Sequence, residues 1–285
     1  MAESPAHKFG QIIGDLLELA LEPHLQKFAR KHKLYLDKKG ERNARSGKKV
    51  SWTDANGNKH DLDFVLERGG TENKIGTPVA FIESAWRRYT KHSRNKAQEI
   101  QGAVVPLAET YARNKPFIGA ILAGEFTDGA LRQLESLGFH VLFFPYDTIV
   151  AAFSLGKINA DFGEDTSDAD FGNKIRAWER LKHIDREAIG EEVARINAQA
   201  VGKFMEAIRK VVTRRIEAVL VLPLHGHQEL LKTVQLAIGF LEDYAASEVP
   251  MLQRIEIEIR YENGDCITGS FGDKQSAVAF LREYQ

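Results

Sequence analysis

The spacing of apolar side chains divides this chain into elements. Ile12, Ile13, Leu16, Leu17, Leu19, Ala20, Leu25 and Phe28 follow Phe9 at helical intervals, which predicts an amphipathic helix that Pro23 breaks or restarts. Lys33 to Leu36 reads as a short strand, and Asp37 to Lys49 as a polar, basic stretch. Val50 to Trp52 and His60 to Leu66 predict a hairpin about Asn56-Gly57, the strongest short-range turn signal. Alternation along the return strand assigns Leu62, Phe64 and Leu66 to one face and Asp61, Asp63 and Val65 to the other. Pro78 to Ala85 predicts a third, mostly buried strand. A helix follows over Lys91 to Tyr111, with Ile100, Val104, Leu107, Ala108 and Tyr111 on one side and a bend at Pro106.

Phe117 to Ala123 reads as a strand, Thr127-Asp128 as the cap of a helix closed at Gly138, Phe139 to Phe144 as a strand and Thr148 to Leu155 as a short helix. This order predicts an α/β fold, a mixed central sheet flanked by helices. Asp161 to Asp170 is acidic and poor in apolar residues and reads as a linker. Beyond it come a charged helical region over Ile175 to Val212, a strand at Ala218 to Leu222 and a helix over His227 to Tyr244. Arg254 to Tyr261 and Cys266 to Phe271 read as strands turning at Asn263-Gly264, before a last helix over Lys274 to Tyr284. The expected organisation is thus a first domain over 1–160, an acidic linker over 161–172 and an α+β accessory domain over 173–285. No internal repeat at a fixed period and no low-complexity tract is evident.

The 285 residues balance 39 Lys+Arg against 40 Asp+Glu, for a net charge of -1, which by itself gives no pull toward nucleic acid or membrane. Counted locally, the balance is a cancellation. Arg87, Arg88, Lys91, Arg94 and Lys96 lie between Trp86 and Gln98 with no acid among them, whereas the 161–170 stretch carries acids and no Lys or Arg. The single cysteine, Cys266, excludes an internal disulfide and a cysteine-based zinc site, and points to a reducing cytoplasm. The start resembles no signal peptide, and the most apolar stretch, Val141 to Leu155, is broken by Pro145, Tyr146 and Asp147, so no membrane span is expected.

Candidate chemistry centres on Asp63 and Glu83, two carboxylates that interrupt apolar strand sequence. A bare carboxylate is costly to bury unless it is paired or binds a metal. Two on neighbouring strands can share a hard divalent cation through oxygen ligands; the alternative is a pair of exposed, ion-paired positions on amphipathic strands. After Glu83, Trp86 and Tyr89 interleave with the five cations of the basic run, a pattern suited to phosphates and bases. Cations at a helix start oppose the helix dipole and so ask for an anionic partner. Asp61 is a possible second ligand or the exposed end of its strand. His225-Gly226-His227 lacks an evident third ligand and reads as a turn or cap. No P-loop, dinucleotide fingerprint or Gly-x-Ser-x-Gly motif occurs.

Asp63, a spacer, and Glu83-Ser84-Ala85 at a strand end resemble the PD-(D/E)xK nuclease superfamily, the restriction-endonuclease-like fold, over roughly Phe9 to Leu155. The resemblance implies Mg2+, with Mn2+ as a substitute, held by Asp63 and Glu83, and Glu18 of the first helix as an auxiliary acid. Position 85, where the family carries a lysine, is alanine. Some members supply that lysine from the following helix, which makes Lys96 the candidate, Lys91 the runner-up and Gln98 an auxiliary polar group. His92 reads as a candidate base or a solvated turn residue. The implied activity is a DNA endonuclease of restriction or defence type, acting on double-stranded DNA as a homodimer. Arg87, Arg88, Lys91 and Arg94 would contact DNA, and the stretch Lys38, Lys39, Arg42, Arg45, Lys48 and Lys49 would form a second contacting surface. Arg209, Lys210, Arg214 and Arg215 form the basic cluster of the C-terminal region. Ala85 supports an alternative, an inactive nuclease fold serving as a DNA-binding or assembly module, and RNA stays open as a substrate.

Overall fold

A computed structural model describes residues 4–224, 228–244 and 254–285. The chain divides into two compact units, Met1–Val212 and Thr213–Gln285.

Ser4 caps α1 (Pro5–Lys31) by accepting a hydrogen bond from the His7 N–H. The helix runs unbroken through Pro23, contrary to the expected break. Leu16, Leu17 and Leu21 before the proline and Leu25 after it are all fully buried. Their burial offsets the roughly 3 kcal/mol that an interior proline costs.

The central sheet holds β1 (Leu34–Lys38), β4 (Phe64–Arg68), β5 (Thr77–Arg87), β6 (Phe117–Gly124) and β7 (His140–Pro145), in the order β1-β4-β5-β6-β7. The pairs β1/β4 and β4/β5 are antiparallel, and β5/β6 and β6/β7 parallel, so the sheet is mixed. One face packs on α1, α4 (Tyr146–Leu155), α5 (Asp168–Arg180), α6 (His183–Ile196) and α7 (Ala198–Val212). The other packs on α2 (Ser93–Thr110), α3 (Asp128–Ser136) and the ribbon of β2 (Val50–Thr53) and β3 (Lys59–Leu62). The fold is therefore α/β with helices on both faces.

The predicted return strand is two strands. β3 ends at Leu62, Asp63 forms a bend, and β4 begins at Phe64. Leu62 packs with Val50 and Trp52 in one core, while Phe64 and Leu66 enter the core on the other face of the sheet. An unbroken alternating strand would keep all three together; the bend at Asp63 sends them apart.

The acidic segment does not separate domains. Phe162 packs on Phe9 and Phe171 at ring-centroid distances of 5.8 and 5.1 Å, and Trp178 on Phe153 at 5.4 Å. Gly190 lets α6 approach α1 closely, since a Cβ there would stand 3.1 Å from Leu19 and Ala20 atoms. The long helical region after the acidic stretch is thus three helices of the first unit, and the boundary falls at Val212 instead of 161–172.

In the second unit, β8 (Ile216–Pro223), β9 (Glu229–Leu231), β10 (Ile255–Tyr261) and β11 (Cys266–Phe271) form an antiparallel sheet in the order β11-β10-β8-β9. The helices are α8 (Val234–Asp243) and α9 (Lys274–Arg282). Residues 229–231, expected within a helix, pair as β9 instead; His225 and His227 lie outside the described residues.

This unit runs through a ββα order twice, with β8 and β10 as its two central strands. Ala237-Ile238-Gly239-Phe240-Leu241 and Tyr244 match Ala277-Val278-Ala279-Phe280-Leu281 and Tyr284, each forty positions later. The ring pairs Phe240–Tyr244 and Phe280–Tyr284 recur at 5.5 and 5.1 Å. The buried strand residues Val219 and Val221 match Ile257 and Ile259, thirty-eight positions later. A two-residue difference between strand and helix offsets hides the repeat from a search at one period. Among the described residues, no helix is long and apolar enough to cross a membrane.

Candidate functional site

The bend that splits the return strand also places its carboxylate. Phe64 pairs with Ile82 at the end of the β4/β5 ladder, so the bend at Asp63 lies beside the next residues of β5, Glu83 and Ser84. β5 continues past this point to Arg87, and its Ser84 N–H and hydroxyl both donate to one Asp63 carboxylate oxygen at 2.7 Å. The Asp63 side chain thus takes over the ladder where β4's backbone turns away, which fixes its position.

Glu83 is 9% exposed. Burial, reinforced by the charge of Asp63, pushes its carboxyl up to about 9. Lys96 opposes that rise, and Asp61 and Glu18 add to it. Glu18 on α1 is likewise pushed up to about 7, by burial first and then by Asp63, while Lys39 pulls it down. Asp63 therefore couples to acids contributed by β5 and by α1.

An open cleft of about 660 Å³ lies over this cluster. Gly10, Gly14, Asp15 and Glu18 of α1 line it, as do Lys39, Asp63, Ser84, Arg87, Tyr89, Lys96 and Phe162. The end of β5 is held there because β6 ends beside it. Gly124 sits at φ +98°, where a Cβ would fall 2.1 Å from the Arg87 carbonyl, and the next N–H, of Glu125, donates to that carbonyl at 2.8 Å.

The expected site residues separate into those the cleft gathers and those it does not. Glu18, Asp63, Arg87, Arg88 and Lys96 line it and Glu83 acts on it, whereas Gln98 is exposed on α2 away from it. Lys96 and Gln98 are two residues apart on a helix and so cannot share a face. The Lys96 ammonium is 21% exposed and lies 3.1 Å from Glu99. Lys91, in the 3-10 turn Thr90–His92, pairs with Glu164 at 3.1 Å, and His92 in the same turn and Arg94 on α2 are exposed. The basic run therefore starts in a strand and crosses a turn before reaching α2.

Arg88 is no free phosphate contact. It donates to the Phe162 carbonyl at 2.9 Å and lies 3.9 Å over the Tyr146 ring. The second expected DNA surface is likewise partly internal. Arg42 has a 1% exposed side chain that is bonded to Glu67 and to the Thr71 and Lys74 carbonyls, and Arg45 grips Asp37. Lys48 and Lys49 stay exposed, facing Glu41 at 3.8 Å and Asp61 at 2.6 Å. Asp61 points to that lysine and to Ser51. Lys39 was expected only as one of a basic stretch, yet it is the member that reaches the cleft, 3.7 Å from Asp15. In the C-terminal basic cluster, Arg209 pairs with Glu206 and Arg214 with Asp265.

Among the described residues, no three His, Cys, Asp or Glu side chains converge into a complete metal-ligand set. The donor chemistry nevertheless fits a hard cation of the Mg2+ kind, which keeps several waters and is held by one or two carboxylates plus substrate phosphate.

No family model and no curated protein matches the chain. It is similar to the crystal structure of AF1548, described as a protein of unknown function, at 11% identity and a TM-score of 0.30, covering 68% of this chain and 98% of that one.

Proposed function

We propose that the first unit is a divalent-cation-dependent nuclease of restriction-endonuclease-like fold that hydrolyses phosphodiester bonds in DNA. The observation that carries this reading is the buried Glu83 carboxyl beside the end of the β4/β5 ladder, acted on by the charge of Asp63 and, from α2, by that of Lys96. Asp63 and Glu83 would hold Mg2+ or Mn2+. When bound, such an ion lowers the pKa of a coordinated water and offsets charge on the phosphoryl oxygens. Asp63 is kept in place by Ser84, so it is ready to bind without rearrangement. Glu83 gives up its proton as positive charge arrives. Lys96, which lines the cleft and acts on Glu83, would orient the attacking water and stabilise charge in place of the side chain that Ala85 lacks. Arg87 and Lys39, which line the same cleft, would supply cations for the flanking phosphates. On this reading the enzyme acts as a homodimer, each protomer attacking one strand.

Ala85 is the specific observation that favours a second reading, an inactive nuclease fold that binds DNA only. Lys96→Met separates the two readings. The active-enzyme reading expects Lys96→Met to lower Mg2+-dependent cleavage of a labelled oligonucleotide by about 100-fold, in the range of general acid–base contributions. Lys91→Met should change it by less than about threefold, because Lys91 is occupied by Glu164. Equal effects of the two substitutions would remove Lys96 from the site. DNA binding without cleavage by the unaltered protein, in Mg2+ and in Mn2+, would leave only the second reading.

A further inference from the structure

The cleft's size and lining bear on which form of nucleic acid enters it. Its volume of about 660 Å³ falls within the roughly 300–1,000 Å³ of pockets built for one small ligand. That is room for a nucleotide or two. The lining combines cations (Lys39, Arg87 and Lys96) with the aromatic residues Trp86, Tyr89 and Phe162. Cations that follow a backbone together with rings that stack on bases are the arrangement by which proteins hold single strands.

The three rings are not equivalent. Trp86 is buried, with its ring 5.9 Å from that of Tyr146, so it closes the cleft. Phe162 is packed among Phe9, Tyr146 and Phe171. Tyr89 is half-buried, and its ring neighbours among the described residues are two cations, Arg88 at 5.2 Å and Lys91 at 5.3 Å. Its support is rigid, because the adjacent Arg88 is fixed by the Phe162 carbonyl and the Tyr146 ring. Elsewhere in the lining, a Cβ placed on Gly14 of α1 would meet nothing within 4 Å, so there is open space there.

We propose that the site takes nucleic acid one strand at a time, with an unpaired base stacked on Tyr89 next to the scissile phosphate. This rests on the nuclease reading and specifies its substrate as single-stranded, flapped or locally opened DNA. An intact duplex then has to open before it is cut.

The test is fluorescence-anisotropy titration of the full-length protein in Ca2+, with a short labelled single-stranded oligodeoxynucleotide and with the same strand annealed to its complement. Single strand should bind about tenfold more tightly than duplex. Tyr89→Ala should lose about tenfold on the single strand and little on the duplex, while Tyr89→Phe keeps the affinity. Gly14→Leu fills the lumen and improves a helix interior, so it should lose single-strand binding with an undiminished Tm. Duplex binding as tight as single-strand binding, or Tyr89→Ala without effect, would overturn the proposal. In that event, a duplex that is bound and cut leaves the nuclease reading standing. Failure to bind either form removes both.

Discussion

Asp63→Asn is expected to reduce Mg2+-dependent phosphodiester hydrolysis by about 10³-fold, with a Tm close to that of the unaltered protein. The size follows from removing a charged ligand at the centre of the site, where a bound cation supplies several kcal/mol of transition-state stabilisation. The neutrality of the fold follows from geometry. An asparagine Oδ1 can still accept from the Ser84 N–H and hydroxyl that Asp63 now binds at 2.7 Å, so the end of the β4/β5 ladder keeps its bonds. Cleavage rates with excess enzyme and thermal melts on the same preparations check both halves.

The second large effect concerns stability and pH. The Glu83 carboxyl is raised from its ordinary 4.5 to about 9, first by burial and then by Asp63. The folded state therefore keeps a proton that the unfolded chain releases. The stability this group contributes is fully present below pH 4.5 and is lost as pH rises toward 9. Glu83→Gln keeps the shape and carries no proton to lose. In the metal-free protein it should raise stability by an amount that is nil near pH 4, grows through neutrality and levels off above about pH 9. The rise from 4.5 to about 9 corresponds to a gain on the order of 6 kcal/mol at the plateau, seen as a Tm rise of roughly 10 °C or more. Saturating Mn2+ should reverse the order, because the ion stabilises only the form that binds it. Melts at three pH values with and without Mn2+ check this; a Tm gain that ignores pH would remove the buried charge from the account.

Much of this was legible in the chain, and what was not failed for physical reasons. The apolar spacing from Phe9 to Phe28 marks α1, because one face of a helix must be buried whatever it packs on. Asn56-Gly57 marks the β2/β3 turn, with Gly57 at φ +86° where glycine is at ease. The bend at Asp63 was hidden because Leu62 and Phe64 alternate as in one strand while belonging to different cores. Alternation reports that a position is covered, not what covers it. Likewise, counting charge assigns Arg42, Arg45 and Arg88 to a nucleic-acid surface, whereas the fold spends them on Glu67, Asp37 and the Phe162 carbonyl. The acidic segment reads as a linker by composition, yet Phe162 and Phe171 tie it to the core. Carboxylates in apolar surroundings were the clearest signal of the site, and Glu83 and Glu18 carry the largest upward carboxylate shifts.

The claim on which the rest depends is that Asp63 and Glu83 jointly hold one divalent cation. Calorimetric titration of Mn2+ into the protein at pH 7.5, in two buffers of different ionisation enthalpy, tests it directly. The account predicts one ion per chain, a proton released on binding because Glu83 is protonated beforehand, and loss of the site in both Asp63→Asn and Glu83→Gln. The absence of binding, or binding that survives both substitutions, would contradict it.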